Sequence, residues 1–156
     1  MNERERLANE QGSYVSFLCQ ELVRHGGWFT IENPWTSDFW RASPFLQLVV
    51  ITDVYSVFLH QCAYGLTLPG LPSNMFCKKA TRIVLNITSI VNLTRRCPGS
   101  SVHRLHCVAW GSIKVNGKAE SRARLAGRYP DDLCRSLARI VKAHLQLESP
   151  MGHRVW

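Results

Sequence analysis

The run Gly26-Gly27-Trp28-Phe29-Thr30-Ile31-Glu32-Asn33-Pro34 constrains this chain most, because it fixes where a helix must end and where a strand must stop. Ahead of it, Tyr14, Val15, Leu18, Leu22 and Val23 recur at three- and four-residue spacing, the apolar face of a helix. Gly26-Gly27 ends that helix, since glycine accepts the left-handed conformation that closes a C-terminus. Trp28 to Ile31 are aromatic or β-branched and favour a strand. The strand must stop at Asn33-Pro34, because proline has no N–H for a ladder. Helix, glycine turn, strand and polar tip are expected to form half of a βαβ layer. In open α/β sheets ligands bind beyond the carboxyl ends of the strands, which puts Glu32 and Asn33 at a functional edge.

Downstream, Ser37 can cap a short helix carrying Phe39 and Trp40, and Pro44 starts another turn. Val54 to about Gln61 alternates as a strand, the Pro/Gly-rich Leu66 to Phe76 reads as a loop, and Thr81 to Ile87 is a second strand at hairpin distance. Ser89 to Arg96 suits a short helix. Cys97 to Gly117 lacks periodicity and reads as an irregular loop, with a strand at His106 to Trp110. Tyr129-Pro130-Asp131-Asp132 opens a final helix with an apolar stripe of Leu133, Leu137, Ile140, Val141 and Leu145. With no internal repeat and no boundary signal, residues 1–156 form one α/β domain.

Hydrophobic residues at 46% and charged ones at 19%, spread evenly, exclude a disordered chain. The apolar run from Phe45 to Leu59 is broken by Gln47, Thr52, Asp53 and Ser56, too polar for a membrane span. The charged start lacks the apolar centre of a secretory signal, so an intracellular location, nuclear or cytoplasmic, is expected. The six cysteines are then expected as thiols, and the sequons at Asn86 and Asn92 as incidental. A net charge of +8 favours an acidic partner, of which nucleic acid is the commonest; the bland alternative is a basic surface that aids solubility.

A helix leading into an apolar strand that ends in Glu32-Asn33, then "HQCAYGL" from His60, then "KKATRIVLN" from Lys78, resembles the later half of the catalytic domain of DNA (cytosine-5) methyltransferases. With "CPGSSVHRLH" and "RLAGRYPDDLCRSLA", the segment order is also similar to methyltransferase-like reading frames of retroelements and viruses. The resemblance implies part of a Rossmann-like methyltransferase sheet flanked by helices, with a β-hairpin. It implies that Glu32 is the carboxyl group holding the target cytosine, stabilising charge on the ring, and that Asn33 orients its loop. Pro34, Trp35, Gln61, Tyr64, Lys79 and Arg82 then line the substrate side.

Two family elements are missing. No glycine-rich turn for S-adenosylmethionine precedes Trp28, and no Pro-Cys nucleophile step occurs anywhere. Cys19, inside the first predicted helix, reads as a small hydrophobe. The resemblance therefore implies the base-pocket half without the donor half. The chain is then expected to be a fragment, a degenerate copy, or one subunit of a split enzyme that a second chain completes, inactive alone and binding no S-adenosylmethionine by itself; a noncatalytic nucleic-acid-binding module of a mobile element or virus is the alternative. Trp35 and Trp40 are candidate stacking residues for such a module. Cys97, His103 and His106 are candidate metal ligands, with Cys62 and Cys77 on the preceding hairpin, although no Cys-x-x-Cys knuckle is present. Adjacent His106 and Cys107 would point oppositely in an extended strand and could not share an ion.

Overall fold

A computed structural model describes residues 3–51, 53–99 and 105–147. The first helix, α1, spans Glu3–Arg24, starting well before Tyr14. Glu3 and Glu5 suit the positive end of its dipole, and an Arg6–Glu10 pair at 2.6 Å supports its solvent face. It closes as its glycines require. Gly26 sits at φ +71° with open space around it, and the Gly26 and Gly27 amides donate to the Val23 and Leu22 carbonyls.

Strand β1 is Thr30–Pro34, two residues later than Trp28 at its start and running through Pro34 at its end. Phe29 is held instead by the Asn86 side chain, which accepts from the Phe29 N–H and donates to the Gly27 carbonyl. Pro34 is tolerated because β1 is an edge strand of its sheet. Ser37 caps a 3-10 turn at Asp38–Arg41 by accepting from the Phe39 N–H. Pro44 lies in the first turn of a full helix, α2, Ser43–Ile51.

Strands β2 (Tyr55–His60), β3 (Met75–Lys78) and β4 (Ala80–Leu85) follow, with a 3-10 turn at Gln61–Tyr64 after β2 and another at Thr88–Leu93 after β4. The main sheet has the order β1-β4-β2, and β4 is antiparallel to both neighbours, with Glu32 opposite Ile83 and Phe58 opposite Arg82. Thus β1 and β2 run the same way but do not touch. The expected βαβ half-layer is absent among the described residues, because the reversed β4 fills the place beside β1. Met75 and Phe76, expected in a loop, belong to β3, which pairs in parallel with β5 (Leu105–Val108).

The segment expected to be irregular holds more order than its composition suggests. After β5 come β6 (Ser112–Val115) and β7 (Lys118–Ser121), a hairpin turning at Asn116-Gly117 with both residues at positive φ. A one-turn helix α3 (Arg122–Leu125) and the amphipathic α4 (Asp131–Leu147) complete the chain. The fold is mixed α/β with small sheets and flanking helices.

Alternation along β4 sends its side chains into two cores. Ile83 and Leu85 join Val57, Leu59, Ile90, Leu93, Leu133 and Ile140 under α4. Val84 joins Cys19, Ile31, Trp40, Phe45 and Leu48 under α1 and α2. A third cluster of Leu66, Leu68, Cys77, Cys107 and Ala126 seats the β3–β5 pair. Among the described residues no helix is long and apolar enough to cross a membrane, and no disulfide forms.

Candidate functional site

Because β1 and β2 point the same way, their carboxyl ends share one edge of the sheet with the amino end of β4. Glu32, Asn33, Pro34 and Trp35 therefore meet Gln61, Lys79 and Arg82 there. The Gln61 N–H donates to the Lys79 carbonyl and the Trp35 N–H to the Ala80 carbonyl, both near 3 Å. Sequence reasoning places these residues together, and the structure does so too.

Their side chains do different things. The Glu32 carboxylate accepts from the Tyr129 hydroxyl at 2.8 Å and lies 3.5 Å from Lys79 Nζ. Lys79 also donates to the Ala126 carbonyl and lies over the Tyr129 ring. Burial pushes the Tyr129 hydroxyl far above its ordinary pKa, and its bond to the Glu32 carboxylate and that negative charge push it further. This cluster ties β1 to the 126–130 segment, a partnership that no local sequence signal announces.

Gln61 is wholly buried and donates to Thr81 Oγ1. Tyr64 is buried as well, and its hydroxyl donates to the Leu93 carbonyl while Arg95 lies 4.4 Å over its ring. Both brace the core rather than face solvent. Arg82 stacks on Trp40 and Phe45 and donates to Ser56 Oγ, and desolvation lowers its pKa from the usual arginine value. Trp40 fills the core, its indole N–H on the Pro34 carbonyl. Burial pushes the Cys19 thiol up to about 11, leaving it unsuited to act as a nucleophile.

Trp35 differs, with 48% of its surface exposed. Its ring meets Phe58 edge-on at 4.5 Å, His60 meets Phe58 at 4.9 Å, and the Arg96 guanidinium lies 3.9 Å over the Phe58 ring. Phe58 and His60 alternate with the core residues Val57 and Leu59, so they lie on the sheet face opposite α4, each half-buried. Sequence reasoning selects Trp35 but misses Phe58, His60 and Arg96; the period of two in β2 is the signal that could have found the first two. Beside the strip, a cleft of about 960 Å³ runs between α1 and the end of β1, lined by Gly12, Glu32, Asn33 and Phe39 among others.

A separate cluster gathers Cys62 from the turn after β2, Cys97 after the Thr88–Leu93 turn, and His106 from β5. Cys107 points instead into the third core with Cys77, as strand alternation requires. His103 lies outside the described residues. No protein-family model matches the chain, and no curated protein or solved structure matches it either.

Proposed function

We propose that this chain is a nucleic-acid-binding module built on the base-side part of a methyltransferase-like sheet, without methyl-transfer activity of its own. The observation that carries the reading is the strip at the carboxyl edge of the sheet where exposed Trp35 meets half-buried Phe58 edge-on, Phe58 meets His60, and exposed Arg96 lies over the Phe58 ring. Exposed aromatics offer π-faces to unpaired bases, and neighbouring cations hold phosphates; together they bind single strands with little sequence preference. Arg95, Arg96 and Lys78 supply that charge at the surface.

The methyltransferase-like part of the reading rests on resemblance, supported by the Glu32-Asn33 tip beside a cleft of nucleoside-holding size. It treats the three strands as part of a Rossmann-like sheet, with β1 and β2 running the same way on either side of the antiparallel β4. S-adenosylmethionine belongs to the complete enzyme. A second chain supplying the donor half has a place to dock: Tyr14, Phe17, Leu18 and Leu22 form an exposed apolar stripe on α1, close to the edge strand β1.

Fluorescence anisotropy with single-stranded and duplex oligonucleotides across a salt series tests the binding. If three to five phosphates are neutralised on a single strand, log affinity should fall against log salt with a slope of about −2 to −4. Affinity that stays flat would overturn the electrostatic account. Calorimetry with S-adenosylmethionine should show no heat of binding, and micromolar affinity would overturn the missing donor half.

A further inference from the structure

The Cys62, Cys97 and His106 cluster adjoins the aromatic strip, since the Cys97 N–H donates to His60 Nδ1 and Arg96 precedes Cys97 in the chain, but metal binding there does not depend on the nucleic-acid reading. Three ligand atoms from three distant stretches of chain, two sulfurs and one imidazole nitrogen, lie within 4.8 Å of one another. Cys97 Sγ and His106 Nε2 are 3.2 Å apart. Tetrahedral zinc, with bonds of about 2.3 Å to sulfur and 2.0 Å to nitrogen, sets its ligand atoms about 3.5 to 3.8 Å apart, so small shifts would admit the ion.

The backbone around the cluster is fixed by hydrogen bonds. The Gly99 N–H donates to Cys97 Sγ at 3.4 Å, delivered by a turn in which Gly99 holds φ +78°. The Cys97 N–H donates to His60 Nδ1 at 2.9 Å, and the His60 N–H donates to the Arg95 carbonyl, fixing the loop that carries Cys97. Cys62 is fully buried at the end of β2, and His106 is set by the pairing of β5 with β3. No acidic side chain belongs to the group, so the donor set is soft and selects zinc over magnesium or calcium.

We infer that Cys62, Cys97 and His106 form a zinc site that joins the main sheet to the β3–β5 sheet, leaving a fourth position for solvent or another ligand. Two thiolates and one imidazole hold the ion. Binding releases the thiol protons and adds a cross-link among three segments distant in sequence.

Zinc content of the full chain, purified without chelator, and the optical spectrum of its cobalt-substituted form test the assignment. One metal ion per chain is expected, with a thiolate-to-cobalt charge-transfer band and tetrahedral d–d bands. Cys97→Ser and His106→Ala should each weaken metal affinity by roughly 100-fold or more, since even outer partners of such ligands matter about 10- to 100-fold. Cys134→Ser, at an exposed cysteine outside the cluster, should bind as the parent does. A chelator should lower the melting temperature of the parent and leave that of Cys97→Ser unmoved. Cys62→Ser is the less useful variant because its site is in the core. Failure to take up stoichiometric metal, absence of the charge-transfer band, unchanged affinity in both ligand variants, or loss of affinity in Cys134→Ser would each overturn the site.

Discussion

Replacing Trp35 and Arg96 together by alanine should weaken single-stranded oligonucleotide binding by about 30- to 1000-fold. One stacked base is worth about 1 to 3 kcal/mol, and a lost phosphate contact adds to it. Trp35 is half exposed and Arg96 lies at the surface, so the folded state should lose little. Thermal unfolding of the double variant should stay within about 1 kcal/mol of the parent, as is usual for surface positions. Binding in titration that survives the double substitution would place the nucleic-acid surface elsewhere. The control is Trp40→Phe, which alters a tryptophan of the core and should change stability while sparing affinity.

The second large effect concerns Glu32. Its carboxylate and the Lys79 ammonium are each mostly covered, with side-chain exposures of 19% and 17%. Glu32→Gln keeps an oxygen for the Tyr129 hydroxyl but strands a half-buried lysine, and should cost about 1 to 3 kcal/mol, less than the loss of one partner from a fully buried pair. A double-mutant cycle with Lys79→Met should recover a coupling of at least about 1 kcal/mol; a coupling near zero would make the contact incidental. The network also predicts a pH dependence. The Tyr129 pKa is raised in the folded chain, so its contribution to stability is complete below the unfolded value of about 10. That contribution is lost as pH rises toward the folded value. Denaturant midpoints should therefore fall above about pH 10, and the fall should be shallower in Tyr129→Phe. Tyr64 retains part of the effect, because burial raises its pKa too.

These contacts alter what a carboxyl group at the strand end can do. A glutamate that grips a target base must turn free oxygens toward it, whereas here Tyr129 and Lys79 hold the carboxylate. The stacking strip carries no such conflict. Nucleic-acid binding therefore leads the functional reading, and Glu32 ties the 126–130 segment to the sheet.

Local signals were the legible ones. The Gly26-Gly27 stop, the Ser37 cap and the Pro130-Asp131 start of α4 each follow from one or two residues acting on their own backbone. The Asn116-Gly117 hairpin was missed inside the expected irregular loop: the dipeptide supplies two positive φ angles, but the lack of apolar alternation around it hides the strands. Strand order was not legible. Nothing local tells β4 to insert between β1 and β2, because long-range pairing is decided by which faces can be buried, here Ile83 against α4 and Val84 against α1 and α2.

At the candidate site, proximity was legible and orientation was not. Gln61 and Tyr64 sit at the expected edge, but a 3-10 turn rotates both inward. The metal cluster was half legible: Cys97 and His106 stand out by composition, while the place of Cys62 depends on how the turn after β2 folds back.

Ultraviolet crosslinking of the full chain to a photoreactive single-stranded oligonucleotide, with the modified residues located by mass spectrometry, decides whether the Trp35 strip holds nucleic acid. Adducts are expected on Trp35 and on the peptide carrying Phe58 and His60, suppressed by raised salt and by unlabelled competitor. Adducts confined to α4 or to the β6–β7 hairpin, with none at Trp35 or Phe58, would contradict it.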